Sequence, residues 1–269
     1  MESTLFYFHL EKTGGSSFWS SLIRASPRQD LVDDIFWRIV EPCWDCTSEK
    51  RRIKSEALYT DALVRDTLCK IKIGFHSDTR LDKRLLVHHH LPVSVLEEFT
   101  NVQVVITVRD PVERFLSEIR HQRLGGDMFF QNYDQHLPAL EILSKAEYFR
   151  NYYRFWLHGF LFEDSIKTMM EISNSFNKPL ASDRDLLREL RKRRVKVLVA
   201  RDHAFDQKKL DAFSRNHFLG RLDCNEKKVI RTITSGNIVR NAETDRLREA
   251  LSRLLKDENR LFRSLSALA

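Results

Sequence analysis

Four short apolar runs, each about the length of a β-strand, constrain the fold of this chain most strongly. They lie at residues 5–10 (LFYFHL), 84–90 (RLLVHHH), 102–108 (VQVVITV) and 195–200 (VKVLVA). Longer segments with helical periodicity separate or follow them. Because strands that are apolar on both faces occur mostly in parallel sheets covered by helices, the pattern predicts an α/β fold with a central, mostly parallel sheet flanked by helices.

The helical segments are predicted from the spacing of apolar residues and from capping residues. They cover residues 16–25, with Ser16 as the cap, and then 93–99, 111–123, 137–156, 183–194, 206–218 and 243–265. A chain of 269 residues, 42% of them hydrophobic, is long enough to bury a sizeable core. Because neither a linker nor an internal repeat is found, residues 1–269 are predicted to form a single domain.

The charge balance favours an anionic partner. The chain carries 45 Lys and Arg against 38 Asp and Glu, a formal net charge of +7, which suits nucleotides, acidic glycans, nucleic acids or membrane surfaces. No stretch has the character of a signal peptide or a membrane span, so we expect a cytoplasmic chain with no membrane span. Cys43, Cys46, Cys69 and Cys224 are expected to be free thiols, and their spacing predicts no metal site.

The first apolar run is followed by a glycine-containing loop, KTGGSS at residues 12–17. In parallel sheets, ligands bind beyond the carboxyl ends of the strands. Gly14 and Gly15 let the backbone approach a phosphate, the helix-start amides point at it, and Lys12, Ser16 and Ser17 add charge and donors. The lysine precedes both glycines, unlike in a Walker A loop, which disfavours a nucleoside-triphosphate kinase. An ordinary glycine turn is the alternative.

The third apolar run ends in Arg109-Asp110-Pro111, and a helix is predicted to begin there. Arg109 can hold a phosphate through two parallel hydrogen bonds, and Ser117, on the second turn of that helix, can donate its hydroxyl. Two anion sites on neighbouring strand ends indicate a ligand that is phosphorylated at two places. The alternative is that Arg109 pairs with Asp110 or a neighbouring carboxylate.

Both segments resemble motifs of one family, the carbohydrate sulfotransferases of the heparan-sulfate O-sulfotransferase type and their bacterial relatives. KTGGSS at 12–17 is similar to the family's 5′-phosphosulfate loop, and RDPVERFLSEIRH at 109–121 to its 3′-phosphate motif. The resemblance implies a P-loop-like sulfotransferase fold. It also implies transfer of a sulfuryl group from 3′-phosphoadenosine-5′-phosphosulfate (PAPS) to a hydroxyl, with adenosine 3′,5′-bisphosphate (PAP) as the second product.

The resemblance also implies which residues contact the donor. The 5′-phosphosulfate would be bound by Lys12, Thr13, Gly14, Gly15, Ser16 and Ser17, and the 3′-phosphate by Arg109 and Ser117. One position departs from the pattern, since Glu11 stands where the family commonly has an uncharged residue. A carboxylate in the pocket would repel the donor, so we expect Glu11 to point away from it.

Sulfuryl transfer needs an in-line hydroxyl, a base for its proton and positive charge near the leaving phosphate, and no metal. In a strand, His88 and His90 share a face, and His90 lies nearer the carboxyl end. His90 also matches a histidine of the bacterial relatives, and we predict it as the general base, with His88 as second candidate. His76, in a similar glycine-x-histidine setting, is a rival, and Lys12 would stabilise the bridging oxygen.

The acceptor is expected to be a hydroxyl of a glycan or glycoconjugate, and nucleic acid is not expected as a partner. Two alternatives stay open, a nucleotide or nucleic-acid binding module without catalysis and a P-loop-like kinase. The oligomeric state does not follow from the sequence. Other features are expected to be structural: aromatic residues at 133–162 in the core, basic residues at 188–196 at a solvated helix end, and Arg114 with Glu118 as an exposed pair.

Overall fold

The computed structural model describes the following parts of the chain: residues 3–10, 13–25, 32–34, 44–45, 52–53, 83–88, 93, 102–123, 150–163, 180–201, 204–216, 222, 224 and 242–269. At residues 32–34, 44–45, 52–53 and 83–88 it describes the backbone path alone. The predicted helix at 93–99 lies outside these residues except for Val93, and so does the predicted helical segment at 137–149.

The described strands form one six-stranded sheet and one two-stranded sheet. In chain order they are β1 (Ser3–Phe8), β2 (Val32–Asp34), β3 (Trp44–Asp45), β4 (Arg52–Ile53), β5 (Lys83–His88), β6 (Val102–Arg109), β7 (Lys196–Arg201) and β8 (Ala204–Phe205). The large sheet has the order β2-β5-β1-β6-β7-β8, in which β8 alone is antiparallel to its neighbour, and β3 pairs with β4 separately. The mostly parallel sheet expected from the sequence is confirmed.

The order of the strands makes the chain leave two neighbouring strands in opposite directions. β1 and β6 are neighbours in the sheet, with Phe8 opposite Ile106. In the order of the sheet, β2 lies on one side of the β1–β6 pair and β7 lies on the other. The chain therefore continues from β1 and from β6 in opposite directions across the sheet. Connections that diverge in this way open a crevice at the carboxyl ends of the two strands, which is where open α/β sheets bind ligands.

Helices cover both faces of this sheet, as predicted for an α/β fold. They are α1 (Gly15–Ala25), α2 (Pro111–Arg123), α3 (Tyr152–Phe162), α4 (Asp183–Lys192), α5 (Gln207–Asn216), α6 (Ala242–Leu254) and α7 (Lys256–Ser266). Within β1, Phe6 and Phe8 alternate with Leu5 and Tyr7, so successive side chains enter different cores. The core around Phe6 and Phe8 contains residues of α3, α4 and α7. The other core contains residues of α1 and α5.

A third, smaller core joins α2 to α6. Val112, Phe115 and Leu116 of α2 pack against Leu251 and Leu255. This contact anchors the helix that follows β6 to the carboxyl-terminal part of the chain.

The carboxyl-terminal helix predicted at 243–265 is in fact two helices that meet at Leu255, and the prediction of one helix is wrong. The backbone of Leu255 has φ −89° and ψ 25°, outside the helical range. Leu251 packs on α2, whereas Leu261 and Leu265 pack in the core on the sheet. The change of direction lets the two segments bury their apolar residues against different partners.

The helix predicted at 137–156 differs from the structure at residues 150–151 and at its carboxyl end. Residues 150–151 form a turn, α3 starts at Tyr152, and it continues to Phe162. The prediction of helix at 150–151 is therefore wrong. Tyr152 and Tyr153 are buried, and Trp156 packs against the same core, so for these three aromatic residues the core assignment is confirmed.

Candidate functional site

The turn after β1 depends on a glycine. Gly14 has φ +85°, a conformation that side-chain-bearing residues rarely adopt. A Cβ atom at this position would also lie 3.2 Å from the Cε2 and Cζ atoms of the Phe205 ring. The backbone conformation therefore favours glycine here, and the close ring leaves little room for a side chain, whatever the turn binds.

Helix α1 starts directly from this turn. The amide of Phe18 donates to the Gly14 carbonyl at 3.1 Å, which makes Gly14 the N-cap and places Ser16 inside the helix. The prediction of Ser16 as the cap is therefore wrong, because the left-handed glycine already redirects the chain. The amides of residues 15–17 precede the first helical hydrogen bond, and such amides at the positive end of a helix are able to bind an anion.

A chain of buried hydroxyls ties the turn to the neighbouring strand. Thr13 Oγ1 lies 2.8 Å from Thr107 Oγ1, and Thr107 Oγ1 lies 2.8 Å from the Tyr7 hydroxyl. Thr13 also donates to the Leu10 carbonyl at 2.5 Å. Tyr7, Thr13 and Thr107 are fully buried. The predicted donor contact of Thr13 is therefore limited to its backbone, because its hydroxyl is turned into the protein.

The end of β6 carries the predicted phosphate ligand Arg109, which is only 3% exposed. Its Nη2 lies 3.5 Å from Oε2 of Glu113, and the other oxygen of that carboxylate accepts a hydrogen bond from Arg248 of α6. Asp110 instead caps α2, because its Oδ1 accepts from the amides of Val112 and Glu113 at 3.0 and 3.1 Å. An anion at Arg109 must therefore compete with the Glu113 carboxylate.

A buried tyrosine holds the backbone of β6 at the same place. The Tyr153 hydroxyl accepts from the Arg109 amide at 2.9 Å and donates to the Arg109 carbonyl at 2.5 Å. Burial raises the pKa of the Tyr153 phenol above its ordinary value, so the hydroxyl keeps its proton. The last residue of β6 is therefore bonded through both of its backbone polar groups to the start of α3.

Behind Tyr153 lies a buried carboxyl group from α7. Glu258 is 2% exposed, and its Oε1 accepts from the Tyr153 amide at 2.5 Å. Burial raises the pKa of Glu258 to about 8, while the Tyr153 amide and the charge of Arg114 act in the opposite direction. The start of α3 is thus bonded to an acid that changes its charge near neutral pH.

Arg114 belongs to this buried group and not to the surface. It is 1% exposed, and its guanidinium carbon lies 3.6 Å from the centre of the Tyr152 ring. The prediction that Arg114 forms an exposed pair with Glu118 is therefore wrong. The helical spacing of the two residues was compatible with such a pair, but α2 turns Arg114 toward the ring at the start of α3.

Several predicted site residues lie outside the described parts of the chain: Lys12, Glu11, His76 and His90. His88 is the last residue of β5, and Ser16 and Ser17 lie in the first turn of α1, but their side chains are outside what the structure describes. Ser117 is half-buried on α2. The structure therefore brings together the turn at Gly14, the start of α1 and Arg109, and leaves the predicted base untested.

The Arg109–Glu113 pair is the neighbouring-carboxylate alternative that the sequence left open. Sequence reasoning missed the other residues that support the two strand ends: Tyr7, Thr107, Tyr153, Arg248 and Glu258. For two of them the sequence carried a signal, because Tyr7 and Thr107 are hydroxyl residues inside otherwise apolar strands. A buried hydroxyl needs a partner, so both pointed to an internal hydrogen bond. The other contacts join residues far apart in the chain, and no local pattern reports them.

The basic residues at the end of α4 lie at the other end of the sheet. Arg191, Lys192 and Arg194 are exposed and come just before the amino end of β7. The Arg194 carbonyl accepts from Nε2 of Gln103, near the amino end of β6, at 2.8 Å. At about 3.3 Å per residue, a strand of this length separates them from the crevice by roughly 20 Å. They do not border the candidate site.

Within the described ranges no helix is both long enough and apolar enough to cross a membrane. Cys224 is buried and is not part of a disulfide. The same parts of the chain contain no group of three or more His, Cys, Asp or Glu side chains arranged to hold a metal ion.

Comparison of the chain with protein-family models, with curated proteins and with solved structures gave no match.

Proposed function

We propose that this protein is a PAPS-dependent sulfotransferase with a P-loop-like sulfotransferase fold. It would transfer a sulfuryl group to a hydroxyl of a glycan or glycoconjugate, in the cytoplasm. Support comes from the two motifs at residues 12–17 and 109–121 and from the parallel α/β sheet on which both motifs lie.

One observation carries the proposal. The glycine turn follows β1 and Arg109 ends β6, and these strands are parallel neighbours whose carboxyl ends lie at the same edge of the sheet. Thr13 bonds to Thr107, which lies two residues before Arg109, or about 7 Å along the strand at 3.3 Å per residue. A compact ligand with two anionic groups is able to reach both places, as a nucleotide with phosphates on its 5′ and 3′ positions would.

The roles of the residues follow from the chemistry. The amides at the start of α1 and Lys12 would bind the 5′-phosphosulfate, and Lys12 would stabilise the bridging oxygen as the sulfur–oxygen bond breaks. Arg109 and Ser117 would bind the 3′-phosphate. His90, or His88 in its place, would accept the proton of the attacking hydroxyl.

Ligand-induced stabilisation tests the donor. PAP is expected to raise the melting temperature of the protein more than ATP with magnesium does, because only PAP has a phosphate for each of the two sites. A larger shift with ATP and magnesium would favour the kinase alternative. Stabilisation by PAP without any transfer of labelled sulfate from PAPS to a panel of hydroxylated glycans would favour a binding module without catalysis.

Two variants at the β6 end make the test specific. Arg109→Ala should weaken PAP binding at least tenfold, because it removes a charge-assisted contact to the 3′-phosphate. Glu113→Gln should strengthen PAP binding severalfold, because it removes a carboxylate that competes for Arg109. Titration calorimetry with adenosine 5′-monophosphate is the control, and neither variant should change its affinity. Unchanged PAP affinity in both variants would remove Arg109 from the 3′ site.

A further inference from the structure

We infer that Thr107 is a positioning residue for the 5′ end of the nucleotide and acts through its hydrogen bond to Thr13. The inference rests on the proposed function, because it assumes that the turn at Gly14 binds the 5′ group. Thr107 lies inside β6 and is fully buried, so it does not contact the ligand itself.

The donor in each hydrogen bond between the buried hydroxyls follows from counting protons. Each hydroxyl has one proton to donate. Thr13 donates its proton to the Leu10 carbonyl, so Thr107 must be the donor in the contact with Thr13. The proton of Thr107 is then used, so Tyr7 must be the donor to Thr107. Burial raises the pKa of the Tyr7 phenol above its ordinary value, so the first donor in this series of hydrogen bonds keeps its proton.

This direction separates the roles of Tyr7 and Thr107. Removing the Tyr7 hydroxyl leaves the bond from Thr107 to Thr13 in place. Removing the Thr107 hydroxyl takes away the only contact between hydroxyls that joins the turn to β6 in the described residues. Thr13 directly precedes Gly14, whose carbonyl starts α1, so the Thr107 bond sets the position of the amides that face the anion.

The same bond also links the two halves of the proposed ligand site. Thr107 and Arg109 are two residues apart on β6, so the turn is fixed to the strand that carries the 3′-phosphate ligand. A turn that is no longer held by this bond would therefore shift relative to Arg109. The loss should appear in the affinity contributed by the 5′-phosphate and not in the affinity contributed by the 3′-phosphate.

The test compares two ligands in three variants. The ligands are adenosine 3′,5′-bisphosphate and adenosine 3′-monophosphate. The dissociation constant of the monophosphate divided by that of the bisphosphate measures how much the 5′-phosphate contributes to affinity. Thr107→Val keeps the branched shape and removes the hydroxyl, and Thr107→Ser keeps the hydroxyl. Tyr7→Phe removes the hydroxyl that donates to Thr107. We expect Thr107→Val to reduce the ratio about tenfold. Thr107→Ser and Tyr7→Phe should leave it within about twofold of the wild type.

The outcomes separate the inference from the proposed function. A wild-type protein that binds both ligands equally would show that no 5′ site exists, and the proposed function and the inference would fall together. A wild-type protein that discriminates between them, with an unchanged ratio in Thr107→Val, would overturn the inference alone. A loss of affinity for both ligands in equal proportion would indicate a general structural role and would also overturn it.

A second measurement covers the case in which Thr107→Val does not fold. Thr107→Cys places a weak donor at the same position, and an intermediate loss in the ratio is expected. Amide hydrogen exchange of residues 13–17 in this variant should be faster than in the wild type, while exchange in α4 should not change. Unchanged exchange in the turn would overturn the inference without reference to any ligand.

Discussion

The two strand ends that form the candidate site are supported in different ways. The turn after β1 is held by neutral groups, namely the hydroxyls of Tyr7, Thr107 and Thr13 and the ring beside Gly14. The end of β6 is surrounded by ionisable groups, among them the Glu113 carboxylate and the buried carboxyl group of Glu258. Neutral hydrogen bonds respond little to pH or salt, whereas charges respond to both. The β6 end should therefore be the part of the site that depends on solution conditions.

The largest effect is expected at Glu258. Burial raises the pKa of its carboxyl group from 4.5 to about 8, so the folded protein binds this proton more tightly than the unfolded chain does. The stability contributed by the protonated acid is complete below pH 4.5 and is lost as the pH rises through 8. In the wild type, the free energy of unfolding should fall by roughly 3–5 kcal/mol between pH 5 and pH 9 through this group, and Glu258→Gln should remove that fall. Urea unfolding at several pH values measures it.

The exposed Glu249 on α6 offers a matched control for that experiment. Its carboxylate pairs with Arg253 at 3.3 Å, and both side chains are mostly exposed. Glu249→Gln should leave the pH dependence of the unfolding free energy as in the wild type. An equal change in the two variants would show that net charge, and not the buried position of Glu258, is responsible.

Two buried tyrosines allow a direct comparison of the strand ends, with a smaller expected effect. Tyr153→Phe removes two hydrogen bonds to the Arg109 backbone, and Tyr7→Phe removes one bond to a threonine hydroxyl. We expect losses of about 2–3 kcal/mol for Tyr153→Phe and about 1 kcal/mol for Tyr7→Phe. Both free energies come from urea unfolding at pH 7. Equal losses would contradict the view that the β6 end is bonded more strongly.

The smallest effect is expected at Arg248, which pairs with Glu113 near the surface. The side chains are 30% and 22% exposed, so solvent screens the interaction. Arg248→Gln should cost about 0.5 kcal/mol at low ionic strength and nothing measurable in 1 M salt. Arg253→Gln, at the more exposed pair with Glu249, is the control, and no effect is expected at either ionic strength. A loss for Arg248→Gln that persists in 1 M salt would show that packing, and not charge, holds α6 against α2.

Sequence reasoning reached the elements of the fold more securely than their ends. The strands β1, β6 and β7 and the helix α2 were predicted from local patterns, since each buries a continuous run of apolar residues or begins with a capping residue and proline. The break at Leu255 and the start of α3 at Tyr152 were not, because both depend on which partner each segment packs against. The short strands β2, β3, β4 and β8 were also missed, since two or three residues carry no periodicity.

By itself, the sequence determined that apolar strands alternate with amphipathic helices, that a glycine turn follows the first strand, and that an arginine ends the third predicted one. These are local properties, set by side-chain spacing and backbone freedom over a few residues. Only the tertiary structure decided that β1 and β6 are neighbours and that Thr107 bonds to Thr13. It also decided that Glu258 is buried beside Tyr153. Such contacts join residues up to 105 positions apart, and they form only when the packed core brings those residues together.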